Sequence, residues 1–78
     1  MINIKAMGLL KHQVAPDTDG SLCADFFDGM TVADVTGSLG LEEPGRSFII
    51  IVNETRRPAG HRLCDGDNII IMPIIAGG

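Results

Sequence analysis

Residues 65–78 have the sequence DGDNIIIMPIIAGG, and this stretch decides the fold. Asp65-Gly66-Asp67 is a turn signal, and the β-branched run that follows, from Asn68 to Ile75, predicts a strand with apolar side chains on both faces. Pro73 has no N–H to donate, so it should stop the hydrogen-bonded ladder. We therefore predict one folded domain over residues 1–73 and a flexible tail over residues 74–78, which no further element holds down.

The rest of the chain predicts further strands. Residues 48–52, FIIIV, form a second β-branched run bounded by turn residues, which predicts another central strand. Apolar residues alternate from Ile2 to Ala6, which predicts a first strand with one apolar face. A loop of uncertain path over residues 9–21 should lead to a second strand at residues 22–27. Residues 53–58 suit a turn into a short irregular strand.

One helix is predicted from residue 32 onward. Thr31 is a good N-cap, and Asp34 stands three residues later, where its carboxylate can reach back to the amide of the cap. Met30 and Val35 have the spacing of a hydrophobic staple, and Gly40 can take the left-handed conformation that closes a helix. The helix should be two to three turns long and should depend on packing against the sheet.

A single helix covers only one face of a four- to five-stranded sheet. Either Ile49 and Ile51 or the alternating set Phe48, Ile50 and Val52 should point away from it, with a matching set from residues 69–72. We select Ile49 and Ile70 as the partner-binding residues of this face and expect one of each adjacent pair to be core, because large exposed apolar patches mark interaction sites. The alternatives are that the loop over residues 9–21 covers the face, or that the protein dimerises through it.

Composition narrows the function classes. The chain has 78 residues and a formal net charge of −4. So small a domain should not house an autonomous active site, and an acidic chain lacks the basic stripe that nucleic acid requires. The longest apolar runs are far shorter than the roughly 20 residues of a membrane helix, and the N-terminal residues lack a signal-peptide pattern. We expect a cytoplasmic protein that binds neither membrane nor nucleic acid, and a solvated hairpin around Arg56, Arg57 and Arg62.

The cysteines and histidines give weak signals. Cys23 and Cys64 lie 41 positions apart and should be buried thiols rather than a disulfide. His61 and Cys64, completed by Cys23 or His12, could form a zinc site, but they lack the usual paired spacing. An iron–sulfur cluster needs four thiolates, and only two are present. No metal and no stably bound cofactor are predicted.

The chain end is the candidate reactive site. Gly77 and Gly78 have no side chain, so the terminal carboxylate could enter a narrow channel that any Cβ would block. A partner that adenylates this carboxylate with ATP would turn it into a mixed anhydride, which a sulfur nucleophile can attack to leave a thiocarboxylate on Gly78. A terminal Gly-Gly is weak evidence alone, and its position directly after a strand strengthens it.

Three segments together resemble the ubiquitin-like sulfur carriers: Thr31–Asp34, Ile51–Asn53 and, above all, Asp65–Gly78. That family includes the small subunit of molybdopterin synthase and the sulfur carrier of thiamine thiazole synthesis. The resemblance implies an α+β fold of the β-grasp (ubiquitin-like) type and thiocarboxylation at Gly78 by an ATP-dependent adenylating enzyme. It also implies that Gly77 is the second invariant glycine and that Ile74 and Ile75, followed by Ala76, fall where tail residues bind partners.

The branch within the family is less clearly indicated. Pro73 and the chain length are similar to the molybdopterin synthase subunit, which we favour; its partner would be the sulfur-accepting synthase subunit. A thiazole carrier, another carrier for amino acids or tRNA, and a protein modifier conjugated through Gly78 remain alternatives. In each case the chain is a substrate or subunit rather than an enzyme. Glu54 departs from the family, in which many members have Gly after the Asn, so Asn53 could take the left-handed position itself.

Overall fold

The computed structural model describes residues 1–8, 10–14, 20–41 and 48–74. Its strands are β1 (Ile2–Ala6), β2 (Ser21–Ala24), β3 (Phe48–Val52), β4 (Thr55–Arg56) and β5 (Asn68–Pro73). Its helices are α1 (Leu10–Val14) and α2 (Val32–Ser38). None of the described helices is long and apolar enough to cross a membrane.

The strands form one mixed five-stranded sheet in the order β2-β1-β5-β3-β4. β1 and β5 run parallel, while the other neighbouring pairs are antiparallel. The two β-branched runs of the sequence, β3 and β5, lie next to each other inside the sheet, as their apolar character on both faces predicts. The α+β class and the mixed sheet predicted from the sequence are confirmed.

The hydrophobic core lies on one face of the sheet. Alternate residues of β1, β3 and β5 point into it, including Ile4, Ile50 and Ile71, each no more than 3% exposed. Val32 and Val35 of α2 pack on the same cluster, and neither is exposed. The helix therefore covers one face and leaves the other face of the sheet without a helix among the described residues.

The N-terminus of α2 has the predicted capping box. The backbone N–H of Asp34 donates to Thr31 Oγ1 at 3.3 Å, and the Thr31 N–H donates to Asp34 Oδ2 at 2.8 Å. Met30, just before the cap, is buried in the core with Val35. After the helix, Gly40 has a φ of 74°, the left-handed conformation expected of a closing glycine.

The structure corrects three sequence expectations. β2 ends at Ala24 rather than at residue 27, because Ala24 pairs with Ile2, where β1 begins, and β1 offers no further partner. The predicted loop over residues 9–21 contains the short helix α1. Cys23 and Cys64 are free thiols as expected, but both are exposed rather than buried. Cys23 pairs with Asn3 on the helix-free face, and Cys64 lies in the loop before β5.

Candidate functional site: the helix-free sheet face and the end of β5

The last strand brings the chain to the end of the sheet at which β1 also ends. β5 lies between β1 and β3, and it ends at Pro73, which is opposite Phe48. Because β1 and β5 are parallel, their C-terminal ends lie side by side, and there the N–H of Met7 donates to the carbonyl of Ile71 at 2.9 Å. Ile74 follows with an exposed fraction of 42%.

The predicted reactive residues lie beyond this point. Ile75, Ala76, Gly77 and Gly78 fall outside the residues that the structure describes. Their roles, the division between a domain over residues 1–73 and a tail over residues 74–78, and the role of Ile74 in partner binding stay predictions.

The helix-free face carries an apolar patch. In β3, Ile50 is core, whereas Ile49 is half-buried on the opposite face, and Ile71 and Ile70 of β5 show the same alternation. The expected choice within each pair is thus the one observed, although partner binding by Ile49 and Ile70 stays a prediction. The register sets Ile49 beside Met72 and Ile51 beside Ile70. We call these four residues the apolar patch.

The patch lies close to the exit of the chain. Five large apolar residues are exposed among the described residues: Met1, Met7, Phe27, Met72 and Ile74. Three of them, Met7, Met72 and Ile74, lie at or next to the ends of β1 and β5. Exposed apolar side chains concentrated in one place are typical of an interaction site. Here they lie at the end of the sheet where the chain leaves β5.

Helix α1 does not cover the patch. Its residue Leu10 packs against the core cluster, which lies on the other face of the sheet. The part of the 9–21 loop that forms α1 therefore lies on the core side of the sheet and not on the helix-free face. Residues 15–19 of that loop lie outside the described part of the chain.

The charges on this face are unlike those of the chain as a whole. The register places Lys5 beside Ile70 and Arg56 beside Ile51, so a cation stands on either side of the apolar row. Among the strand residues that the structure describes, none is acidic. In a chain of net charge −4, the described strands thus carry basic and no acidic side chains on this face. Arg56, Arg57 and Arg62 are all exposed, as a solvated hairpin requires.

The turn before β5 is tied to the β3–β4 hairpin by side chains. Asp67 accepts a hydrogen bond from the backbone N–H of Cys64 and another from Asn53 Nδ2, both at 2.8 Å. Asn53 Oδ1 in turn accepts from the backbone N–H of Asn68 at 3.0 Å. Asp67 is therefore a turn residue, and its link to Asn53, 14 positions away, is a contact that sequence spacing did not reveal.

Metal-ligand side chains do not gather in the described part of the chain. No group of three or more His, Cys, Asp or Glu residues there is arranged to hold an ion. Cys23 lies on an edge strand, and Cys64 lies in the loop before β5. The side chain of His12 is outside what the structure describes.

Solved structures with the same arrangement define the class of fold. A protein of Pyrococcus furiosus assigned as molybdopterin converting factor, subunit 1, aligns with a TM-score of 0.76 at 16% identity, covering 95% of this chain and 97% of that one. SAMP1 from Haloferax volcanii aligns at 0.73 with 19% identity, covering 99% and 98%. The small archaeal modifier protein 1 of H. volcanii aligns at 0.74 with 17% identity, covering 95% and 97%. The fold is a β-grasp, ubiquitin-like fold.

The sequence places the chain more narrowly. The model of the ThiS family matches residues 18–78, which is more than half of the chain, and the chain therefore belongs to the ThiS family. A comparison with curated proteins gave no match. A ThiS-like β-grasp domain is the scaffold of a sulfur carrier or of a ubiquitin-like modifier.

Proposed function

We propose that this protein is a sulfur carrier, adenylated and then thiocarboxylated at Gly78, that delivers sulfur in cofactor biosynthesis. We favour a role like that of the small subunit of molybdopterin synthase. The observation that carries the proposal is the course of β5, which ends at Pro73 among exposed apolar residues, one residue before Ile75-Ala76-Gly77-Gly78.

The proposed chemistry takes place on the terminal carboxylate. In the first step, a carboxylate oxygen attacks the α-phosphate of ATP, and pyrophosphate leaves as the acyl adenylate forms. In the second step, a hydrosulfide equivalent attacks the acyl carbon, AMP leaves with the C–O bond electrons, and a proton is released. The product is a thiocarboxylate on Gly78. The catalytic groups would all lie on partners, and ATP would be bound by the adenylating enzyme.

Geometry limits how a partner can reach this carboxylate. Ile74 is the last described residue, and the four residues after it can span at most about 14 Å when fully extended. The active site of an adenylating enzyme would therefore have to open within that distance of Ile74. Docking on the nearby apolar patch would place it there, and the absence of side chains on Gly77 and Gly78 would suit a narrow entrance.

Mass spectrometry tests the proposal directly. The intact protein, incubated with a purified adenylating enzyme, ATP and sulfide, should gain the mass of one sulfur-for-oxygen exchange, and fragmentation should locate it on Gly78. A variant without Gly78 should gain nothing. The double variant Cys23→Ser, Cys64→Ser should react normally, because both thiols lie outside the proposed chemistry. Sulfur found on either exposed cysteine of the unaltered protein would contradict the mechanism.

A protein modifier is the second candidate function. The similarity to small archaeal modifier protein 1 supports it, and the molybdopterin converting factor neighbour supports the carrier. Both functions start from the same adenylate and differ in the nucleophile. A modifier would yield isopeptide bonds between Gly78 and lysine side chains of other proteins, detectable as a diglycine remnant after protease digestion. A carrier would yield the thiocarboxylate and transfer its sulfur to a synthase subunit, a thiazole precursor or another acceptor.

A further inference from the structure

The turn after β1 packs against the residue at which β5 ends. Gly8 has a φ of 58°, in the left-handed region, and a Cβ at this position would lie 3.0 Å from Pro73 Cγ and 3.6 Å from Pro73 Cδ. The first distance is shorter than the separation of about 3.5–4.0 Å at which two carbon atoms attract each other most strongly. Because every other residue has a Cβ, only glycine at position 8 leaves this room for the proline ring.

Hydrogen bonds fix the backbone on the Gly8 side of this contact. The N–H of Met7 donates to the carbonyl of Ile71 at 2.9 Å, which holds the turn to β5. The N–H of Leu10 donates to the carbonyl of Met7 at 3.2 Å. The N–H of Lys11 donates to the carbonyl of Gly8 at 3.3 Å, so the turn is also held to α1. The turn therefore cannot move away from the proline ring without breaking hydrogen bonds to two elements.

The proline ring links this contact to the direction of the chain end. The ring closes on the backbone nitrogen of Pro73 and holds φ near −65°, so apart from a change of ring pucker it moves together with the main chain. Pro73 is half-buried, whereas the next residue, Ile74, is exposed. The position of the ring against Gly8 therefore sets the direction in which Ile74 leaves the sheet.

We propose that Gly8 is a positioning residue, which directs the chain end by seating Pro73 and so brings the terminal carboxylate into the active site of the adenylating enzyme. The four residues after Ile74 span at most about 14 Å, so they can correct little of a misdirected exit once the partner has docked. A misplacement of about 1 Å can lower the rate of a reaction about 100-fold. The inference rests on the proposed function for the identity of this reaction.

NMR tests the seating of Pro73 without any partner. In the unaltered protein, nuclear Overhauser effects should join the Hα protons of Gly8 to the ring protons of Pro73. Gly8→Asn is the test variant, because asparagine tolerates the left-handed region while it adds a Cβ. Gly40→Asn is the matched control, since Gly40 has a φ of 74° and a Cβ there would meet no atom within 4 Å.

The N–H bond of Ile74 reports the direction of the exit. Its residual dipolar coupling, measured relative to the couplings of β1 and β3, should change in Gly8→Asn and stay unchanged in Gly40→Asn. Retained couplings in β1 and β3 would show that the sheet is intact in both variants. Missing Overhauser effects in the unaltered protein, or an unchanged Ile74 coupling in Gly8→Asn, would overturn the proposal.

The kinetics of adenylate formation test the consequence for the reaction. Gly8→Asn should lower kcat at least tenfold and change KM by less than twofold, because the apolar patch is intact and only the approach of the carboxylate is disturbed. Gly40→Asn should change neither constant by more than twofold. Equal effects of the two variants, or a change in KM alone, would show that Gly8 does not position the reacting group.

Shortening the proline ring provides a rescue. Pro73→Ala removes Cγ and Cδ, the two atoms that a Cβ on Gly8 would meet. Gly8→Asn should therefore lower kcat at least tenfold in the unaltered protein but less than twofold in the Pro73→Ala background. Equal factors in the two backgrounds would show that the effect does not pass through the ring.

Pro73→Ala alone tests the proposal with Gly8 in place, and so it serves even if Gly8→Asn fails to fold. It should lower kcat at least threefold at unchanged KM, because Ile74 then loses its fixed direction. An unchanged kcat would overturn the positioning role.

The NMR and kinetic measurements separate this inference from the proposed function. A protein that shows the expected Overhauser effects and couplings but is never adenylated would disprove the proposed function and leave the seating of Pro73 established. A protein that is adenylated at the same rate with and without Gly8→Asn would disprove the positioning role alone.

Discussion

At the scale of single residues, the β3–β4 turn departs most from local preference. Asn53 has a φ of 47° and Glu54 a φ of 73°, so both residues of this two-residue hairpin loop are left-handed. A loop of this kind matches the twist of the flanking strands and normally uses Asn-Gly. The sequence predicted the conformation of Asn53, but it did not indicate that Glu54 would share it. Asn53 Nδ2 donates to Asp67, and the backbone N–H of Asn68 donates to Asn53 Oδ1, so these two hydrogen bonds hold the turn in this form.

Replacing Glu54 with glycine should stabilise the protein. A residue with a Cβ loses roughly 1–2 kcal/mol in the left-handed region, and glycine avoids this loss while giving up some entropy on folding. We expect Glu54→Gly to raise the free energy of unfolding by about 1 kcal/mol, which corresponds to a rise in Tm of roughly 4–8 °C. Glu54→Ala is the matched control, because it removes the charge but keeps the Cβ, and it should give no gain. A similar gain in both variants would trace the effect to the charge instead.

At the scale of elements, local sequence signals predicted α2 well and α1 poorly. The cap at Thr31, the staple and Gly40 are short-range features, so the start and the end of α2 could be predicted from adjacent residues. The helix α1 has only five residues, and Leu10 and Val14, both half-buried, supply the one helical spacing that could have indicated it. The end of β2 depends on where β1 begins, which is a long-range property that the residues of β2 do not contain.

Two glycines of the α2 region should respond oppositely to alanine. A Cβ on Gly37 or on Gly40 would meet no atom within 4 Å, so packing does not distinguish the two sites. Gly37 lies inside the helix, where alanine should add roughly 1 kcal/mol to the free energy of unfolding. Gly40 has a φ of 74°, and alanine there should lower the free energy of unfolding by about 1 kcal/mol. Urea unfolding measures both changes, and equal signs would show that backbone conformation does not control this helix end.

At the scale of the whole molecule, the sequence predicted the architecture because its two β-branched runs had to lie at the centre of a sheet. It could not decide which face the helix covers, since Ile49 and Ile50, or Ile70 and Ile71, are chemically identical. That choice depends on strand register and on the packing of α2. A groove on the helix-free face, lined by residues of β1, β2 and β5, also escaped prediction, because these three strands are separate in the chain and meet only in the sheet.

The two faces of β3 allow one substitution to separate docking from folding. Ile49 is half-buried on the apolar patch, whereas its neighbour Ile50 is 1% exposed in the core. Ile49→Lys should therefore leave Tm nearly unchanged, because the ammonium stays in water, and should raise the Kd for the adenylating enzyme at least tenfold, about 1.4 kcal/mol. Ile70→Lys should act in the same way. Ile50→Lys should unfold the domain, because it buries a charge without a partner.

Removal of Gly78 completes this test, because it alters the proposed reacting group and leaves both faces of the sheet intact. Binding of the shortened protein to the adenylating enzyme, measured by calorimetric titration, should stay within a few-fold of the unaltered value, while formation of the adenylate should stop. The reason is that the four side chains of the apolar patch should contribute most of the affinity, whereas a single terminal residue contributes little contact area. If loss of Gly78 weakens binding as much as Ile49→Lys does, the tail is the main recognition element, and the patch orients the carrier rather than holding it.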